Sequence, residues 1–100
     1  MHSITLLDPA DAPTSPRRLA VKATAAGFEV VVQEARDPET GAKAWAVVGR
    51  KHLPGGLVRA FQAYWSQAEG GGAKAYGNVL DDGTGTRPAK AAELTAWLAR

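Results

Sequence analysis

The 100-residue chain contains no cysteine, which excludes disulfides, thiolate-bound zinc and thiol nucleophiles together. Histidine is almost as scarce. His2 sits at the N-terminus and His52 in a turn beside Arg50 and Lys51, and two such imidazoles do not make a metal site. Asp81 and Asp82 are adjacent loop carboxylates, but no further acidic residue is spaced to complete a cation shell. Ser3, Ser15 and Ser66 have no base near them in sequence. No run approaches the ~20 apolar residues of a membrane span, and the N-terminal stretch lacks the basic start of a signal peptide. These absences lead us to expect a cytoplasmic protein without cofactor, metal or membrane partner, more binding module than enzyme.

Large apolar residues are also in short supply. Three tryptophans, two tyrosines and two phenylalanines must carry much of the core, because the abundant alanines each contribute little transfer free energy. The expected core members are Phe28, Trp45, Phe61, Tyr64, Trp65, Tyr76 and Trp97. One domain over residues 1–100 fits this length.

Residues 1–13 read as flexible or as a short edge strand over Ser3 to Leu7, ended by Asp8-Pro9. A helix follows, with Ser15 as N-cap, Pro16 at its first position and Leu19, Ala23 and Ala26 on one face. Gly27 ends it, and Phe28 is placed to pack back on it. Phe28 to Ala35 is rich in β-branched residues and predicts a strand. Arg36 to Gly41 is a turn, and Ala42 to Lys51 the return strand. Trp45 and Val47 then share one face, with Ala44, Ala46 and Val48 on the other.

Leu57 to Ala68 is ambiguous: periodicity favours a helix, whereas residue type favours a strand. As a strand it points Tyr64 and Trp65 to opposite faces, so one ring needs a cover, such as a partner. Ala73 to Leu80 reads as a further strand. A last helix is expected from Thr86 as cap and Pro88 in its first turn, with Ala91, Leu94, Trp97 and Leu98 as its apolar stripe. Arg100 would meet the negative end of its dipole. The fold class is therefore α+β: an antiparallel sheet of three to four strands with N- and C-terminal helices on one face. The order is α-β-β-β-β-α, or α-β-β-α-β-α if Leu57 to Ala68 is helical.

The loop Asp82-Gly83-Thr84-Gly85-Thr86 exposes amides before a helix, as phosphate-binding turns do. It lacks the terminal Lys of a Walker loop, having Arg87-Pro88 instead, so a plain strand-to-helix connection is the simpler reading. Net charge is +2 and the isoelectric point about 9.2, a bias that permits nucleic-acid contact without demanding it. Arg17, Arg18, Lys22, Arg87 and Lys90 gather at the two expected helix starts and are the candidate nucleic-acid-binding residues. Solvated surface charge is the competing account. The tryptophans offer either a stacking platform for bases or simply a core.

The stretch Gly83 to Leu98, a Gly-x-Gly turn leading into an Ala-rich helix, resembles the end of double-stranded-RNA-binding domains. That resemblance implies phosphate contacts at Arg87 and Lys90, although Arg87-Pro88-Ala89-Lys90 stands where that family has paired lysines. In size, alanine content and layout the chain also resembles small proteins of actinobacteria and their phages, which implies a cytoplasmic accessory protein that binds. The functional expectation is a binding protein that contacts nucleic acid through the five cations. The alternatives are a protein-interaction module or homodimer, such as a phage-encoded host-factor inhibitor, and a small enzyme in which His52 and Asp82 meet in one pocket.

Overall fold

The computed structural model describes residues 3 to 100, so His2 lies outside the described residues. Six strands form one antiparallel meander in chain order: β1 (Ser3–Leu7), β2 (Glu29–Arg36), β3 (Lys43–His52), β4 (Val58–Gln67), β5 (Ala73–Asp81) and β6 (Thr86–Pro88). Helix α1 (Thr14–Ala25) joins β1 to β2, and α2 (Ala91–Leu98) follows β6. No described helix is long and apolar enough to cross a membrane. The α+β class and antiparallel sheet agree with expectation. The expected three to four strands do not, because β6 is an unforeseen strand at one edge and the Ser3–Leu7 edge strand, offered as one reading of residues 1–13, is present at the other.

The hairpin β2–β3 pairs Val32 with Val47 and Glu34 with Trp45. The next pairing sets Trp45 against Trp65 and Gly49 against Phe61. Two-residue alternation therefore collects Val32, Trp45, Val47, Phe61, Ala63, Trp65 and Leu80 on one face, where all are buried. The helices cover this face. Ala20 and Ala23 of α1 and Leu94, Trp97 and Leu98 of α2 complete the core. Phe28, Phe61 and Trp97 form its aromatic centre, with ring centroids 5.5–6.3 Å apart, in the tilted and edge-to-face range such rings prefer.

Leu57 to Ala68 is a strand, which removes the α-β-β-α-β-α order. The apolar residues of β4 find one covered face and two hydrogen-bonding neighbours, so tertiary context overrides the helical periodicity. Gly27 (φ +93°) ends α1 as expected, and the Phe28 amide donates to the Ala23 carbonyl at 3.0 Å.

Four local expectations are corrected. α1 begins a residue before Ser15, with Pro13 at the cap position and no side-chain cap. Thr86 and Pro88 do not open the last helix but form β6, where Thr86 pairs with Asp81 and Pro88 with Val79. An edge strand tolerates the missing proline N–H, and α2 starts only at Ala91, with Lys90 at its cap. Ala91 itself is exposed rather than part of the buried stripe. Finally, Tyr64 is half-buried and Tyr76 63% exposed, so neither tyrosine belongs to the core.

Candidate functional site

The second face of the sheet has no helix over it. Its residues follow from the same register taken one position out of phase: Ile4, Ala35, Ala44, Ser66 and Lys74 in one row, then Leu6, Gln33, Ala46 and Tyr64 in the next. A third row holds Val31, Val48, Gln62 and Val79. Ile4 and Leu6 are 65% and 71% exposed, and Val31 also faces solvent. A sheet with one solvated face normally alternates apolar inside with polar outside. Here the open face is largely apolar as well, and Lys74 at the β5 end of the first row is the charged side chain of the three rows.

The relief of this face comes from a bulge. Tyr64 pairs with Gly77 and Trp65 with Ala75, so Tyr76 is the extra residue of β5. The bulge brings Tyr76 onto the open side, stacked on Tyr64 with centroids 5.8 Å apart and planes 26° from parallel. Tyr64 also donates its hydroxyl hydrogen to Gln62. Between this tyrosine ridge and Ile4 lies a trough of about 220 Å³ floored by Ala35, Ala44 and Ala46. Small side chains on β2 and β3 make the trough, and large ones on β1, β4 and β5 wall it.

The five candidate cations lie elsewhere. Arg17, Arg18 and Lys22 are exposed on α1, which packs over the opposite side of the sheet. Lys22 borders a groove between the helices that Leu19, Trp65 and Leu94 also line. Lys90 is exposed at the start of α2. Arg87 is not at a helix start; it stands on β6 and pairs with Glu93 and with Asp82, the latter at 3.6 Å. Those carboxylates raise its pKa, Glu93 foremost through a hydrogen bond. The tryptophans are buried, so the exposed aromatics are the tyrosines instead.

The glycine loop is occupied by its own chain. Asp81 Oδ1 accepts the amides of Gly83 at 2.7 Å and Gly85 at 3.3 Å, the local capture typical of Asp in turns. Asp82 Oδ1 accepts the indole N–H of Trp97 at 2.5 Å. That hydrogen bond, above all, holds the Asp82 carboxyl below its ordinary value, with Arg87, Arg100 and Arg59 adding to it. The depressed value means that Asp82 contributes stability above the ordinary carboxyl range near pH ~4, and that this is lost as pH falls through the folded value. Asp82→Asn keeps an acceptor for Trp97 but removes the charge. Its melting temperature, followed by circular dichroism from neutral pH into acid, is expected to fall less steeply than that of the parent chain.

Asp82 borders a groove with Lys51, Leu53, Arg59 and Arg100. His52 is absent from that lining, because alternation along β3 turns it away from Lys51. Among the described residues no three His, Asp or Glu side chains cluster to hold a metal ion. No family model, curated protein or solved structure matches this chain. The sequence anticipates a second face, since Tyr64 and Trp65 of a strand point to opposite sides and one ring needs a cover, but it also counts both tyrosines in the core. The available signal was the alternation Ala44, Ala46, Val48 opposite Trp45 and Val47.

Proposed function

We propose that this chain works by binding, as a protein-interaction module whose docking surface is the open face of its sheet. The observation that carries the reading is an uncovered, predominantly apolar surface spanning β1 to β5, with Lys74 at its β5 margin. Contiguous exposed patches of more than a few hundred Å² mark interaction sites in soluble domains. The tyrosine pair on its β4–β5 side is of a residue type enriched where proteins meet.

Nucleic-acid binding through Arg17, Arg18, Lys22, Arg87 and Lys90 is the rival reading. A surface for single strands combines stacking rings with cations in one groove. In this chain the exposed rings and the α1 cations occupy opposite sides of the sheet, and Arg87 already has two carboxylate partners.

The test compares two variants in binding assays with a partner identified by capture and then purified, and with oligonucleotides. Leu6→Lys is expected to weaken the protein partner at least about tenfold, the scale of one interface anchor. Arg17→Glu/Arg18→Glu/Lys22→Glu should leave that affinity unchanged. Oligonucleotide binding that falls steeply with salt, disappears in the triple variant and survives Leu6→Lys would overturn the proposal.

A further inference from the structure

We infer that the occupant of the open face is a second copy of this chain, the two sheets packing face to face about a two-fold axis running along β3. The inference rests on the reading of that face as a protein-docking surface and names what docks there.

Size is the first argument. Five strands about 4.8 Å apart, with paired segments about 17–25 Å long, present about 500 Å² per copy. Two copies then bury about 1,000 Å², the least that a specific interface needs. Charge is the second. An isologous contact brings each patch against itself, so charges of one sign near the axis would repel. On β2, β3 and β4, next to the axis, the three rows carry none; Lys74 ends the first row on β5, two strands out, and Arg50 at the rim has Glu29 3.8 Å away as its own counter-charge.

Shape is the third and most specific argument. Rotation about β3 lays β4 over β2 of the second copy and β5 over its β1. The Tyr64 ridge then enters the alanine trough beside Gln33 and Ala35 of the second copy. Tyr76 meets Leu6 and Ile4 of the second copy, the most exposed apolar side chains of β1. Ala44 and Ala46 lie on the axis, where small side chains let the sheets approach to the roughly 10 Å of a packed sandwich. Ridge and trough are both on one molecule, and the strand order sets them on opposite sides of the axis. Pairing along the β6 edge has less to offer, because that strand is three residues long and ends in Pro88, and the opposite edge, β1, is only five residues long.

Sedimentation equilibrium on the purified chain should give twice the monomer mass of 10.5 kDa. Tyr76→Lys and Leu6→Lys should each return the monomer with an unchanged circular dichroism spectrum, while the triple variant of α1 stays dimeric. Because the chain has no cysteine, Ala46→Cys introduces a single thiol per copy. A short bismaleimide should then link two copies in the parent background and fail to link them when Tyr76→Lys is added. A chain that stays monomeric up to millimolar concentration, or a dimer that survives both lysine substitutions, overturns the inference. A monomer that still binds a different protein through Leu6 and Tyr76 defeats the second copy alone; a chain that binds neither defeats the docking face as well.

Discussion

Gly49→Ala is expected to destabilise the fold by about 3 kcal/mol, at the upper end of overpacking in a filled core. Gly49 lies on β3 opposite Phe61 of β4, and its backbone is not in the left-handed region. Conformational freedom is therefore not its role. A Cβ at this position would stand 2.3 Å from Phe61 Cε1 and 2.8 Å from Cζ, well inside van der Waals contact. Phe61 is only 1% exposed, and the Phe28 and Trp97 rings pack against it at 5.6 and 6.3 Å. With the ring buried and packed against two others, the strain is expected to spread to the backbone or to Trp97. In an ordinary strand the same change would stabilise, since alanine loses less chain entropy than glycine. The sign of the measured change thus separates close approach from propensity. Phe61→Leu in the Gly49→Ala background removes the clashing ring edge. Urea unfolding of the four proteins in the cycle should then show the double variant losing less than the sum of the singles by at least about 1 kcal/mol, as touching residues do.

Gly49 also shows what was legible in the chain and what was not. The β2–β3 hairpin could be read because β-branched runs flank a turn whose chemistry is local, and because Trp45 and Val47 alternate with alanines. The end of α1 was equally readable from Gly27 before an apolar residue. Each of these signals resides within a few residues of the structure it specifies. Gly49 looks like a weak point in a strand until Phe61 is known to lie across from it, and that is a long-range fact. Thr86-Pro88 misleads for the opposite reason: a cap and a first-turn proline have the same residue types as a short edge strand, and only pairing to β5 distinguishes them. Tyr76 misleads because a bulge shifts it from the phase that period-two counting gives. The alternation of Tyr64 and Trp65 points to a second face that needs a cover but not to its extent, since nothing local says how many helices are available to cover a sheet. Two helices of 12 and 8 residues cover one side of six strands, which leaves the other side uncovered.

Arg59 is the second position where a single change should cost heavily, with Arg59→Met expected to lower stability by about 2–4 kcal/mol. Its residue surface is only 8% exposed. Nη2 donates to the Trp97 carbonyl at 2.5 Å and Nη1 to the Arg100 carbonyl at 3.0 Å. The guanidinium lies 4.1 Å from the Trp97 ring centroid and 5.7 Å from that of Phe28. Burial lowers its pKa, opposed by the nearby Asp82 carboxylate. The last carbonyls of a helix have no partner within it, and here Arg59, from a neighbouring strand, supplies donors where Arg100 was expected to act. The cation also meets the negative end of the α2 dipole. Methionine preserves much of the packing volume but none of the donors, and lysine offers a point charge without the planar fork that reaches two carbonyls and stacks on the indole. Arg59→Lys should therefore recover less than half of the loss. The hydrogen-exchange pattern locates the effect. α2 is only eight residues long and holds to the sheet through Leu94, Trp97 and Leu98, too short to persist as a helix once undocked. In Arg59→Met, amides of residues 94–98 should exchange faster while those of β3 and β4 keep their relative protection. Uniform acceleration across the chain would mean that Arg59 stabilises the whole core and not the docking of α2.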